Sequence, residues 1–216
     1  IIASVDTTKS TDDTKEEETK KSNKIKFNKK EIDYGRFHKF ISWSMDDRYL
    51  AYSKYHYANN NSRVFDLCLY DTESDKNKWI TNNLRATYPV FTNDNDNNII
   101  FVSHENSTSN LYKVDINDIS NIKQLTFFQG DVQILSPSVS KNGAELIFGM
   151  STQEANLDIY LLNLITNDVS RKTFDESVDY MPIFDIDNNI IFTSHRTGTP
   201  NLFKLDRNNS IIQIKD

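Results

Sequence analysis

The 216-residue chain carries 31 acidic against 25 basic side chains, a formal net charge of −6, and so lacks the basic excess that displaces counterions from nucleic acid. It has no apolar run of about 18 residues that could span a membrane as a helix. Its single cysteine, Cys68, rules out an internal disulfide framework and a cysteine-rich zinc site. Residues 1–6 are too short and wrongly flanked for a signal peptide, so the sequence carries no readable address.

In chain order, residues 2–6 read as a strand and residues 25–27 as the strand that follows it. Between them, residues 7–24 hold five acidic and five basic side chains and no large apolar one. Such a segment cannot bury enough surface to offset its ordering entropy, so it is expected to be a solvated, disordered loop, with a charged docking tail as the alternative. Residues 40–44, 49–55, 64–71 and 77–81 then alternate apolar and polar with aromatic and β-branched enrichment, the pattern of four half-buried strands.

The same four-strand pattern recurs three more times. Trp43, Phe91, Val139 and Phe184 mark the first strand of each copy, at steps of 48, 48 and 45 residues. Asp66-Leu67-Cys68 aligns with Asn110-Leu111-Tyr112, Asp158-Ile159-Tyr160 and Asn201-Leu202-Phe203. No window carries a sustained helical stripe. Repetition at this period, one four-stranded sheet per copy, predicts an all-β β-propeller. The predicted units are a partial blade at 1–39 and whole blades at 40–87, 88–135, 136–180 and 181–216. Four and a half blades imply a piece of a larger propeller of six to eight. Ile99 and Phe101, Leu146 and Phe148, and Ile190 and Phe192 are expected to pack between sheets. Pro89, Pro137 and Pro182 each precede the anchor by two residues, where a strand's first residue tolerates a missing N–H.

These residues resemble the TolB-type, WD-like propeller repeat. Pro137-Ser138-Val139-Ser140-Lys141-Asn142-Gly143 fits its opening, with Asn142 in the aspartate slot. Residues 192–203 fit its middle, and Leu125-Thr126 its close. The likeness runs from about Phe40 to the C-terminus. It implies a non-catalytic module that binds a protein or peptide in the bacterial periplasm, or is otherwise exported. The repeat also occurs in the propellers of tricorn-like and prolyl-oligopeptidase-like peptidases. The alternative it implies is therefore a gate for substrate entering a catalytic domain outside this chain.

The residues themselves offer no catalytic pattern, cofactor motif or resident metal set. Gly149-Met150-Ser151 lacks the second glycine of a nucleophile elbow, and His104-Glu105 lacks the second histidine of a zincin. The acidic turns at 93–98 and 185–189 space oxygens as calcium loops do, but they fall where hairpins favour Asp and Asn. His104 and His195 occupy one repeat position on different blades and are not expected to share a metal. Cys68 and Trp43 are expected in the core, and Trp79 either packed or available for contact.

The connections from a fourth strand to the next first strand, at 33–39, 82–88, 127–135 and 174–181, should converge on one face of the propeller. They supply the candidate partner-binding residues Arg36, His38, Arg85, Tyr88, Phe128, Asp131, Asp179 and Tyr180. A further alternative is a hydrolase or lyase activity built on Asp131 and Asp179. Open sheet edges recruit other chains, so the isolated chain is expected to self-associate.

Overall fold

The computed structural model describes residues 2–5, 27–59, 61–93, 97–153 and 155–214. The charged loop at 7–24 lies outside these residues. All regular elements described are strands: β1 Ile2–Val5, β2 Phe27–Lys30, β3 Phe37–Trp43, β4 Tyr49–Tyr57, β5 Arg63–Asp71, β6 Lys76–Trp79, β7 Ala86–Phe91, β8 Asn98–Glu105 and β9 Thr108–Asp115. They continue as β10 Asp118–Gln124, β11 Gln133–Val139, β12 Glu145–Thr152, β13 Ala155–Asn163, β14 Val169–Arg171, β15 Asp179–Phe184, β16 Ile190–Ser194, β17 Asn201–Leu205 and β18 Ile211–Gln213.

The chain divides into two compact units. In the first, β1 and β2 pair antiparallel with Ile2 opposite Lys30. The second, from Gly35 onward, contains four antiparallel meanders: β3-β4-β5-β6, β7-β8-β9-β10, β11-β12-β13-β14 and β15-β16-β17-β18. The first strands β3, β7, β11 and β15 adjoin one another in that order. These are four consecutive blades of an all-β propeller.

Period-two alternation explains why the sheets stack. In β8, Ile99 and Phe101 point back and join Ala51, Leu67 and Leu69 of the first sheet. Their neighbours Ile100 and Val102 point forward and join Leu146 and Phe148 of the second sheet's successor. Ile147 and Ile159 then face Ile190, Phe192, Phe203 and Leu205. Each fully buried side chain of this size contributes about 1.5–3 kcal/mol that one sheet alone could not supply.

The last sheet shows what this stacking does. Leu111 and Ile159 are buried at the third-strand position whose side chain faces the following sheet. Leu202, at the same position in β17, is 51% exposed, and Ile183 and Ile212 on its face are 54% and 59% exposed. Trp43 makes the matching point at the other end of the series. It was expected in the core but is 39% exposed. Phe91, its counterpart, is buried because its face turns back onto the preceding sheet, and within the Gly35 unit no sheet precedes that of Trp43. Cys68 is buried, as expected.

The hairpins between first and second strands are built alike in the first and third sheets. Ser44 Oγ donates to Asp46 Oδ1 (2.5 Å) and accepts from Tyr49 N (2.8 Å). Ser140 does the same with Asn142 (2.7 Å) and Glu145 N (3.0 Å), so asparagine serves fully in the aspartate slot. The residue three beyond the serine turns left-handed, with φ of 57° at Asp47 and 69° at Gly143, a conformation reached most readily by Gly, Asn and Asp.

The prolines sit elsewhere than expected. Pro89, Pro137 and Pro182 lie inside β7, β11 and β15 rather than at their starts. Each falls in a β-bulge, where two residues oppose one: Tyr88-Pro89 opposite Phe101, Ser136-Pro137 opposite Phe148, and Met181-Pro182 opposite Phe192. A bulged strand has a residue outside the ladder, so a missing N–H is tolerated there. The residue before each proline has a positive φ, 52° at Tyr88, 50° at Ser136 and 52° at Met181.

Candidate partner-binding surface

In an antiparallel meander the loops after the second and fourth strands share one end of the sheet. The candidate residues gather at that end, but not all in loops. Because the bulges extend the first strands, His38, Tyr88, Asp179 and Tyr180 lie within β3, β7 and β15. Arg36, Arg85, Phe128 and Asp131 lie in the connections.

Three candidates form one cluster between the first and second sheets. The bulge turns Tyr88 toward His38, with ring centroids 4.5 Å apart and edge to face. Phe40 stands 4.7 Å from Tyr88, and Phe65 lies 5.9 Å from His38 and 5.4 Å from Tyr55. The Arg36 guanidinium lies over Tyr55, 5.5 Å from its centroid, within cation–π range. Burial, with the Lys39 charge beside it, holds His38 below the usual histidine range. Its buried Nδ1 has no hydrogen-bond partner among the described residues. Burial raises the Tyr88 phenol. At neutral pH this is a neutral aromatic wall with Arg36 and Lys39 as cations at its rim.

Beside it, Arg85 is exposed and left-handed (φ 51°). It lines an open polar groove of about 470 Å³ with Asn83, Ser103, His104 and Glu105. His104 is held by Ser109 Oγ at 3.1 Å. Phe128 instead serves the fold: its N–H donates to Asn110 Oδ1 (2.8 Å), its carbonyl accepts from Asn110 Nδ2 (3.2 Å), and its ring packs on the core. Asp131 is exposed and accepts from Gln153 Nε2. Tyr180 is half-buried, its hydroxyl 3.5 Å from His195 Nε2.

Asp179 departs from the expectation. It is fully buried and takes Arg196 Nη2 at 3.0 and 3.3 Å, while Asp175 holds the same nitrogen at 3.0 Å. Ala86 and Ile134 occupy its place in earlier sheets, so a carboxylate has entered an apolar slot and is matched by a cation from its own sheet. A partner arriving from solvent would meet Arg196 and Asp175 rather than Asp179.

The residues that shape this end belong to the repeat motif, and the structure adds their role. Asp66 accepts from Thr81 Oγ1 (2.9 Å), Leu84 N (3.0 Å) and Asn83 N (2.6 Å), with His56 Nε2 at 2.8 Å. That imidazole stacks on the half-exposed Trp79, 4.2 Å between centroids. Thr81 Oγ1 also accepts from Leu67 N (2.8 Å). Thr126 bridges Asn110 and Leu111 N in the same way (3.0 and 2.9 Å), and Thr173 bridges Asp158 and Ile159 N (3.2 and 3.0 Å). In the first three sheets the acid or amide near the start of the third strand thus latches onto the threonine that follows the fourth, whereas Asn201 donates to Thr197 Oγ1 at 2.8 Å. The legible signal is the pairing of Asp/Asn-Leu/Ile with a terminal threonine in each of the first three copies.

Burial pushes Asp158 above the usual carboxylate range, and the Asp179 charge adds to this, against the pull of Arg171 (2.7 Å) and Thr173. A raised folded value means that the native state binds the proton more readily. Stability from this group therefore grows as pH falls through the folded value, levels off below the unfolded value, and is lost as pH rises. Asp158→Asn should remove that dependence while keeping the latch, as Asn110 does. Thermal midpoints of the two proteins should diverge as pH drops from neutral toward 4, with only the parent gaining; parallel curves would refute this.

The acidic turn at 185–189 is occupied by its own chain. The Asp185 carboxylate accepts from Asp187 N (2.9 Å), Asn189 N (2.8 Å) and Asn189 Nδ2, with Lys204 Nζ at 3.3 Å. Although burial raises it, these donors bring it down to about 2. The turn at 93–98 lies partly outside the described residues. Among the described residues no group of three or more His, Cys, Asp and Glu is placed to hold a metal ion.

With this geometry in place, comparison with known proteins identifies the family. The TolB beta propeller domain matches residues 48–214. This chain belongs to that family. The Tol-Pal system protein TolB of Francisella tularensis subsp. tularensis is 28% identical over 146 residues, which cover 65% of this chain and 32% of that protein. The chain thus spans about a third of the length of the curated relatives it matches. The crystal structure of TolB from Acinetobacter baumannii superposes with a TM-score of 0.64 at 26% identity, covering 79% of this chain and 42% of that one. A puromycin-hydrolysing peptidase of Mycobacterium tuberculosis shares the fold, with a TM-score of 0.63 at 10% identity, covering 81% of this chain and 28% of that one.

Proposed function

We propose that this TolB-family propeller is a non-catalytic binding module that docks a protein or peptide in the bacterial periplasm or another exported setting. The observation that carries the reading is family membership across residues 48–214, with a Tol-Pal system protein among the relatives. The docking end is the one that presents Arg36, the His38–Tyr88 cluster, Arg85, Asp131 and Tyr180. Aromatic groups beside an exposed arginine supply the residue types that anchor protein interfaces.

Affinity capture from an envelope extract tests this. A specific protein retained by the parent chain and lost with Arg85→Glu and Arg36→Ala supports the reading. Capture unaffected by both substitutions, or no specific capture, overturns it. A gate for a peptidase is the second reading, favoured by the shared fold with the puromycin-hydrolysing enzyme; a hydrolase domain in the parent reading frame would establish it.

The exposed face of β15–β18 also gives the isolated chain a surface for self-association. Sedimentation at rising concentration should show reversible oligomers that Leu202→Glu and Ile212→Glu dissolve. A clean monomer throughout would contradict this.

A further inference from the structure

At the end of the propeller opposite the docking face, the second and third sheets splay into an open cleft of about 540 Å³, within the range of small-ligand sites. Its floor is aliphatic, formed by Ile100, Leu125 and Leu164. Asn98, Asn121 and Asn167 contribute amides at the rim, and Lys113 and Lys123 stand on one wall.

The two lysines are direct cross-strand partners on β9 and β10. Lys113 also lies opposite Ile100 on β8, so the pair shares the forward face of the second sheet. Like charges placed directly opposite are destabilising. The other sheets avoid the arrangement. The first has Leu69 opposite Lys78, whose Nζ donates to the Ile116 carbonyl at 2.9 Å. The third has Leu161 opposite Ser170. The fourth has Lys204 opposite Ile212, with Lys204 paired to Asp185 at 3.3 Å.

In the second sheet the place of Asp185 is taken by Thr92, a neutral side chain whose hydroxyl donates to the Asn98 carbonyl. Among the described residues the carboxylate lining the cleft is Asp115, which accepts from Asn117 N at 2.8 Å in its own turn. Their backbones pair in the ladder, but among the described residues neither the Lys113 nor the Lys123 ammonium has an ion pair or hydrogen bond.

We infer that this cleft binds the free C-terminus of a peptide ending in an aliphatic residue. The carboxylate would sit between the Lys113 and Lys123 ammonium groups, the last side chain on the aliphatic floor, and the preceding peptide groups against the asparagine amides. Two flexible ammonium groups act as point charges and do not demand the bidentate geometry of a phosphate-reading arginine. The adjoining apolar floor favours an anion that brings its own aliphatic group.

The probe is acetyl-Gly-Ala-Leu with a free carboxylate, titrated into the full chain and followed by isothermal calorimetry. Its C-terminal amide, inorganic phosphate, and the Lys113→Gln/Lys123→Gln double variant serve as comparisons. The free acid should bind saturably, with at least tenfold loss for the amide and for the double variant, and weakening with added salt. Equal binding of acid and amide, an unaffected double variant, or phosphate competing as well as the peptide would each overturn the assignment.

The double variant should also raise the thermal midpoint, because it relieves the lysine pair; a lowered midpoint would count against an unmatched pair. Partner capture at the opposite end should be unchanged in this variant, so failure here and failure of the docking reading are separable.

Discussion

Phe148→Ala is expected to cost about 3–5 kcal/mol of unfolding free energy, a large part of the roughly 5–15 kcal/mol available to a domain. The ring is fully buried. It belongs to the cluster joining Ile100, Val102 and Leu111 of the second sheet to Leu146 and Leu162 of the third, and stacks against Tyr160 at 6.1 Å. Its removal leaves a cavity at a joint between two rigid sheets, and the bulge of Ser136 and Pro137 directly opposite leaves the first strand little room to move in. Phe127, of the same type but exposed in a connection, is the control: Phe127→Ala should stay within about 0.5 kcal/mol. Urea unfolding of both variants decides it. A midpoint for Phe148→Ala close to that of the parent would mean that the sheets do not depend on each other for burial.

That dependence was the most legible feature of the chain, because it is written in period-two alternation repeated at steps near 48 residues. Ile99, Phe101, Leu146, Phe148 and Phe192 all lie between sheets, as the pattern requires. What alternation could not convey is where a repeat lacks a neighbour. Trp43 and Phe91 look equivalent in sequence, yet only one has a sheet in front of it within its unit. The bulges were hidden for a related reason. A proline two residues before an anchor is compatible with a strand's start and with a bulge inside a longer strand. Only pairing register separates the two, and the bulge is what carries His38 and Tyr88 into contact.

At the site, residue type proved easier to read than residue role. Arg36, Arg85 and Asp131 are exposed at the expected end, whereas Phe128 and Asp179 are spent on the fold. Nothing local distinguishes Asp131 from Asp179. The difference lies in Arg196, 17 residues away along the chain, which folds back to neutralise one and not the other. The third-strand acids were visible as part of a recurring motif but without a role, since their partners are the N–H groups and the threonine that follow the fourth strand.

Asp66→Ala is therefore the second substitution expected to act strongly, by about 3–5 kcal/mol. The carboxylate is fully buried and gathers donors from Thr81, Asn83, Leu84 and His56. Truncation leaves two backbone N–H groups and a hydroxyl without their acceptor, and each buried orphan costs about 1–3 kcal/mol. Asp66→Asn should recover most of the loss. One amide oxygen can still serve Thr81 and Leu84, as the oxygen of Asn110 serves Thr126 and Phe128, although the amide nitrogen would face the Asn83 N–H. The order parent, Asn, Ala should also appear in the mobility of residues 81–85. Asn83 and Arg85 hold left-handed conformations there, at φ 63° and 51°, and a strained turn persists only while its surroundings fix it. Amide exchange of Leu84 should accelerate in Asp66→Ala and stay near the parent rate in Asp66→Asn. Arg85 would then lose its fixed position, so partner capture should weaken in the alanine variant even at temperatures where the sheets remain folded. Equal stability of all three proteins would show that the latch holds nothing, and that Arg85 is positioned by some other contact.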